Sequence, residues 1–333
     1  MLKKVYFVAL LIVFYASIAQ AQGLLGLFGS DEPQKKFRVK FLDGDNDAEE
    51  EILLIKVRGV IQEKPEDEEV PFKMSRDLME SVKLDLQLAR ERKTIKAIIL
   101  DINSPGGEVT ASDIIYHQIR KLKNETKLPV IALIGSMGAS GAYYIACSAD
   151  KILAHPTSII GSIGVLMQSM NIEELAEKLG IRAVYLKSEK TPKKDILSPF
   201  RGLTPEEKNM LIGIIDSIYN RFVKIVSESR GKKPEEIVKI ADGGIYDADQ
   251  ALKLGLIDKI GYQEDAIAVA CEAAKIKSAA LVKRITKKSF SEVLSEMAEM
   301  SNPNPALFLE FKKLIESAGV PQLMYKISMP GLK

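Results

Sequence analysis

Apolar residues along this chain follow two rhythms. Continuous runs rich in branched residues, ILLIKVRGVI (52–61), AIILDI (97–102) and PVIALI (129–134), predict strands of the kind buried on both faces of a parallel sheet. Between them apolar positions recur three and four apart. Leu78, Val82, Leu86 and Ala89 share one face of a helix expected over Ser75–Arg92, with Ser75 as its N-cap. SDIIYHQIRKLK and AYYIACSA continue the helical rhythm after the next two strands.

Further along, KILA, IIGSIGVLM and RAVYLK read as strands, and NIEELAEKLG as a helix closed by a glycine. TPEE at 204–207 supplies an N-cap, a proline at the first helical position and a capping-box glutamate for a long helix. PEEIVKIA, DADQALKLG and EDAIAVACEAA predict more helices, with a short strand in GLIDKIG. Alternating strands and helices joined by glycine-rich turns indicate an α/β fold with a largely parallel sheet. Beyond about residue 290, SEVLSEMAEM and NPALFLEFKKLIESAG predict C-terminal helices outside that pattern. The expected division is a leader at 1–21, a linker at 22–50 containing the acidic run DGDNDAEEE, a catalytic domain at 51–275 and a helical extension at 276–333.

Composition changes this picture at one end only. MLKK, the apolar run VYFVALLIVFYASIA and the small-residue pattern of AQAQG read as a signal peptide or an N-terminal membrane anchor, so the remainder is expected to be exported. The other residues are those of an ordinary globular protein: 46% apolar, 28% charged, formal net charge +2. That mixture of charges excludes the basic footprint of a nucleic-acid binder. Cys147 and Cys271 have neither metal-ligand spacing nor a disulfide framework, and Cys147 reads as a buried inert thiol. No metal or other cofactor is expected.

The candidate chemistry lies in two glycine-rich turns. GSMGASGAYY (135–144) follows a predicted strand and opens a helix, so Ser140 is either a helix cap or a nucleophile presented on a sharp turn. The amide of Gly141 could donate to an oxyanion formed there. NSPGGEV (103–109) follows the neighbouring predicted strand, and in a parallel sheet both turns open on the carboxyl edge. Gly106 and Gly107 would expose backbone amides beside Ser140. A base is harder to find, because the only histidines, His117 and His155, read as structural. A desolvated lysine is the other option, and KSEKTPKKDILSPFR (187–201) offers Lys187, Lys190, Lys193 and Lys194.

Together NSPGG, GSMGASGAYY, GSIGVL, KKDILSPFR and DADQALKLGLID resemble, in order and spacing, the signal peptide peptidase A (protease IV) family of serine peptidases, in its short single-repeat form. The resemblance covers roughly residues 50–275 and implies a ClpP/crotonase-like fold of repeated ββα units. It implies that Ser140 is the nucleophile, Lys194 the general base, Ser162 the residue orienting that lysine, and Gly107 and Gly141 the oxyanion hole. It further implies a dome-shaped homo-oligomeric ring, with an octamer as the candidate size, in which neighbouring subunits supply serine and lysine. The expected substrates are short or unfolded apolar peptides such as remnant signal peptides. The expected location is membrane-associated on the extracytoplasmic side, at a bacterial cell membrane or in the periplasm. A lysine base must be neutral near pH 7, so its enclosure has to overcome a reference pKa of about 10.4, on the order of 4 kcal/mol. Two other readings share these residues: a crotonase-like acyl-CoA enzyme, and an inactive exported ring that binds peptides or scaffolds a complex.

Overall fold

The computed structural model describes residues 37–63, 78–285 and 323–326. The chain divides at Arg38 into an N-terminal segment and a compact unit from Val39 onward. Four elements lead to the first glycine turn: β1 (Arg38–Gly44), β2 (Glu51–Arg58), α1 (Leu78–Glu91) and β3 (Ile95–Ser104). Beyond it come β4 (Gly106–Glu108), α2 (Val109–Thr126), β5 (Val130–Ala139) and α3 (Gly141–Ala146). The middle of the chain holds β6 (Lys151–Ala154), β7 (Ile159–Gly161), β8 (Leu166–Met167), α4 (Glu173–Lys178) and α5 (Pro205–Arg230). Then follow α6 (Pro234–Val238), β9 (Ile245–Tyr246), α7 (Ala248–Lys253), β10 (Lys259–Ile260), α8 (Gln263–Ala274), β11 (Ala280–Ile285) and β12 (Leu323–Lys326).

The main sheet runs β1-β11-β2-β3-β5-β6-β10, with β7 added beside β5 and β9 beside β7. Its central pairs, β2 with β3, β3 with β5 and β5 with β6, are parallel, as the continuous apolar runs require. Ile52, Leu54, Ala97, Ile99, Ile131 and Leu133 pack in one cluster with Ala266, Ala270 and Cys271 of α8. Their sequence neighbours Leu53, Ile55, Ile98 and Leu100 point to the other face and are equally buried. Burying such a side chain contributes about 1.5–3 kcal/mol, so the centre of this sheet is a rigid platform for whatever its carboxyl edge carries.

The sheet extends past the limits expected from sequence. Arg38–Gly44, within the expected linker, is a strand, and so is Ala280–Ile285, within the expected helical extension. β11 pairs in parallel with β2 and is fastened to α1 by Arg284, whose Nε lies 2.5 Å from Asp85 Oδ1. The expected leader, the Ser75 cap and the two predicted helices beyond residue 290 lie outside the described residues. The predicted strand RAVYLK is not one: residues 182–187 have no regular secondary structure, and every one of them is exposed.

The Arg284–Asp85 pair is nearly buried, at 5% and 9% side-chain exposure. Asp85→Ala should therefore destabilise the fold by about 3–5 kcal/mol, because it leaves a buried guanidinium without its partner. Urea denaturation reads this directly, and a change below about 1 kcal/mol would mean that the pair contributes little.

Candidate active site

Ser140 stands between β5 and α3 with φ 55° and ψ −122°, a conformation that non-glycine residues rarely adopt. Holding it costs about 1–3 kcal/mol, so the surroundings must fix it. Its N–H donates to the Gly161 carbonyl at 2.8 Å, and its own carbonyl accepts from Tyr144 N–H at 2.9 Å. All six residues of α3 are buried. Tyr143 Oη donates to the Leu256 carbonyl at 2.7 Å, and Tyr144 Oη donates to Asp113 Oδ1 at 2.5 Å. The Ser140 hydroxyl does not cap its helix, so the cap alternative loses its support. Ser136, the other serine of this stretch, sits exposed on β5.

Gly161 is needed where it is. Its φ is 102°, and a Cβ there would stand 2.8 Å from the Tyr246 ring. The next residue, Ser162, also has a positive φ of 50° and donates its N–H to the Gly244 carbonyl at 2.6 Å. Ser140 and Ser162 are thus held on either side of one hydrogen-bonded glycine.

The first glycine turn reaches the same edge. Ser104 pairs in register with Gly138, and Asn103 Oδ1 accepts from Met137 N–H at 3.2 Å, tying the two turns together. Buried Ser104 Oγ accepts the Gly106 N–H at 3.1 Å. Ile61 then grips the turn through two bonds: Ile61 N–H to the Gly106 carbonyl at 2.9 Å, and Glu108 N–H to the Ile61 carbonyl at 2.7 Å. A Cβ on Gly107 would lie 1.9 Å from the Ile61 oxygen, so only glycine fits. Helix α3, which opens at Gly141, packs against β4, which carries Gly107.

A second, three-stranded sheet crosses this site. β12 lies antiparallel between β4 and β8, with Tyr325 opposite Gly107 and Leu323 opposite Met167. A segment of extended backbone therefore occupies the gap beside the glycine turn, and it packs against α3.

The four candidate lysines separate clearly. Lys187 Nζ is engaged, 2.6 Å from Asp195 Oδ1 and 2.7 Å from the Pro192 carbonyl. Lys190, Lys193 and Lys194 are exposed. Lys194 sits in a turn closed by its N–H to the Thr191 carbonyl at 3.1 Å. Among the described residues, no hydrogen bond or ion pair joins it to Ser140 or Ser162. Ser140 and Ser162 are thus linked through Gly161, and among the described residues the lysine turn makes no hydrogen bond to either serine. His117 is exposed and His155 stacks on Tyr262 at 5.4 Å, in keeping with structural roles. Burial pushes the Cys147 thiol up to about 12, so it is inert as expected. Sequence reasoning missed Asn103, Ser104 and Gly161 as supports. Their polar or small side chains carry no signal until the strands are in register.

The backbone geometry makes a direct prediction. Ser140→Gly should be more stable than Ser140→Ala by about 1–2 kcal/mol, since glycine adopts a positive φ without strain. Equal stabilities in chemical denaturation would show that the turn is unstrained. Gly107→Ala should lower stability and remove any activity of the site.

The model of the peptidase family S49 matches residues 122–277. Two proteins each named "Putative protease", from Methanocaldococcus jannaschii and a Synechocystis strain, are 41% and 42% identical over 189 and 176 residues. These alignments cover 57% and 53% of this chain and 60% and 62% of theirs, so the chain spans under two thirds of their length. A protein of Enterococcus faecium named "Putative signal peptide peptidase SppA" is 33% identical over 235 residues, 71% of this chain and 67% of its own. With the parallel sheet and the paired glycine turns at its carboxyl edge, these similarities establish that the chain belongs to the signal peptide peptidase A group of peptidase family S49.

Proposed function

We propose that this protein is a serine endopeptidase in which Ser140 is the nucleophile and Lys194 the general base. The observation that carries the reading is Ser140 itself, fixed in a left-handed strand-to-helix turn beside a glycine turn that admits no side chain. Ser140 Oγ attacks the substrate carbonyl while its proton passes to Lys194 Nζ. The developing oxyanion takes hydrogen bonds from the amides of Gly107 and Gly141. Collapse expels the amine, which takes the proton from Lys194, and leaves an acyl-Ser140 ester. Water, deprotonated by the same lysine, then hydrolyses the ester.

The substrate is read as an extended, apolar chain, such as a remnant signal peptide. Support comes from β12, whose backbone pairing with β4 and β8 is the geometry by which an extended peptide adds to strand edges. An acyl-CoA enzyme of the same fold would have no use for Ser140, and a scaffold would have none for a strained serine.

The shared site is read from the other half of the molecule. Met170, Val184 and Leu186 are 72%, 82% and 97% exposed, in the stretch that leads to Lys194. A run of exposed apolar residues with unpaired backbone suits burial against a second copy of the chain. Its closure would bring a lysine turn to a neighbouring Ser140 and exclude water from it, in a homo-oligomeric ring. Export to the extracytoplasmic side of a membrane rests on the sequence pattern of residues 1–21. Among the described residues no helix is long and apolar enough to cross a membrane.

The test is cleavage of an apolar fluorogenic peptide by the full chain. Ser140→Ala and Lys194→Ala should each lower kcat/KM by about 1,000-fold or more, as removal of a nucleophile or its base does. Lys193→Ala should stay within about twofold of the parent, a neutral change. Wild-type turnover by Lys194→Ala would overturn the base assignment, and turnover by Ser140→Ala would overturn the reaction class.

A further inference from the structure

The turn that carries Lys194 is exposed, yet it is more heavily cross-linked than an ordinary surface loop. Arg201 holds two carboxylates at once. Its Nε and Nη2 donate to Asp195 Oδ2 and Oδ1 at 3.1 and 2.9 Å, and its Nη1 and Nη2 donate to Glu207 Oε2 and Oε1 at 2.8 and 2.7 Å. Asp195 directly follows Lys194. Glu207 belongs to the capping box of α5, where Thr204 N–H donates to Glu207 Oε2 at 2.9 Å and Glu207 N–H donates to Thr204 Oγ1 at 3.2 Å. One guanidinium therefore fastens the residue next to the candidate base to the first turn of a 26-residue helix.

The other side of the turn is also closed. Lys187 spans Asp195 and the Pro192 carbonyl, while Ile172 N–H donates to the Pro199 carbonyl at 2.7 Å. Exposed single ion pairs contribute little, but this network has bidentate geometry on both carboxylates, whose side chains are only 10% and 5% exposed. Hydrogen bonds from Arg201 and Lys187 hold Asp195 far below the usual carboxylate range. Those from Arg201 and the Thr204 amide bring Glu207 down to about 2. Both therefore stay ionised at any pH where a lysine base could be neutral.

We propose that Arg201 is a positioning residue for the base: its fork between Asp195 and Glu207 fixes the Lys194 turn on α5, so that each subunit presents a preformed lysine to the Ser140 of another copy. This rests on the Ser–Lys reading above. Arg201 touches neither substrate nor Ser140, so its loss should appear on the base side of the reaction alone. A lysine at 201 keeps the charge but cannot make the planar double fork.

Kinetics and subunit mixing test this together. Arg201→Gln should lower kcat about tenfold or more with KM nearly unchanged, as for an interaction that acts in the transition state. It should also move the acid limb of the kcat/KM profile to higher pH, because losing one positive charge leaves Glu207 unpaired and Asp195 held by Lys187 alone, and the added net negative charge beside the turn favours the protonated base. Arg201→Lys should fall between the two. In mixed assemblies under subunit exchange, Arg201→Gln should be rescued by Ser140→Ala, which brings a sound base turn. Lys194→Ala, which brings none, should not rescue it. At equal mixing roughly a quarter of sites gain both sound halves.

Rescue by both variants, a rise in KM alone, or an unmoved pH limb would overturn the role of Arg201. Mixing Ser140→Ala with Lys194→Ala is the control for the shared site. Its failure to restore activity would overturn that reading and the cross-subunit presentation with it, and the pH limb of Arg201→Gln alone would then decide whether Arg201 positions the base within its own chain.

Discussion

The hydrogen bond from Ser140 N–H to the Gly161 carbonyl is the contact on which the rest of the site depends. It holds a side-chain-bearing residue in a backbone region that normally belongs to glycine, and it does so from a strand, β7, that is itself paired to β5. Because the parallel core of the sheet is buried on both faces, neither strand can relax to release the turn. The hydroxyl makes no capping hydrogen bond to its own helix. The oxyanion turn is set by the same logic, since Ile61 closes so tightly on Gly107 that the backbone has no alternative position.

The elements that position Ser140 were legible in the sequence because they are governed by local chemistry. Continuous apolar runs marked β2, β3 and β5, and the capping box at Thr204 and Glu207 marked the start of α5. Five of the described strands escaped: β1, β4, β9, β11 and β12. Arg38–Gly44 is mostly exposed, so it lacks apolar alternation, and Ala280–Ile285 follows a helix without a glycine turn to announce it. RAVYLK misled in the opposite direction: its β-branched and aromatic residues fit a strand, but propensity without a partner edge makes no sheet. The supports of the site, Asn103, Ser104 and Gly161, depend on cross-strand register, which no local pattern encodes.

The two halves of the proposed dyad differ in how the chain provides for them. Ser140 is buried, strained and held by the core. Lys194 stands on an exposed turn whose order comes from charge rather than from apolar packing. Such a network can remain intact in a free subunit, because paired guanidinium and carboxylate groups tolerate water where a hydrophobic contact would require a partner. The stretch before it exposes Val184 and Leu186, the apolar surface on which the proposed association of two chains rests. Under the proposed split site, activity would be tied to assembly and an isolated subunit would be idle.

Treating the protein with a serine-directed phosphonylating probe and locating the adduct by peptide mass spectrometry tests the Ser140–Lys194 dyad most directly. One adduct is expected, on Ser140, and it should disappear when Lys194 is replaced by alanine. An adduct on Ser136 or Ser162, or labelling of Ser140 that is indifferent to Lys194, would contradict it.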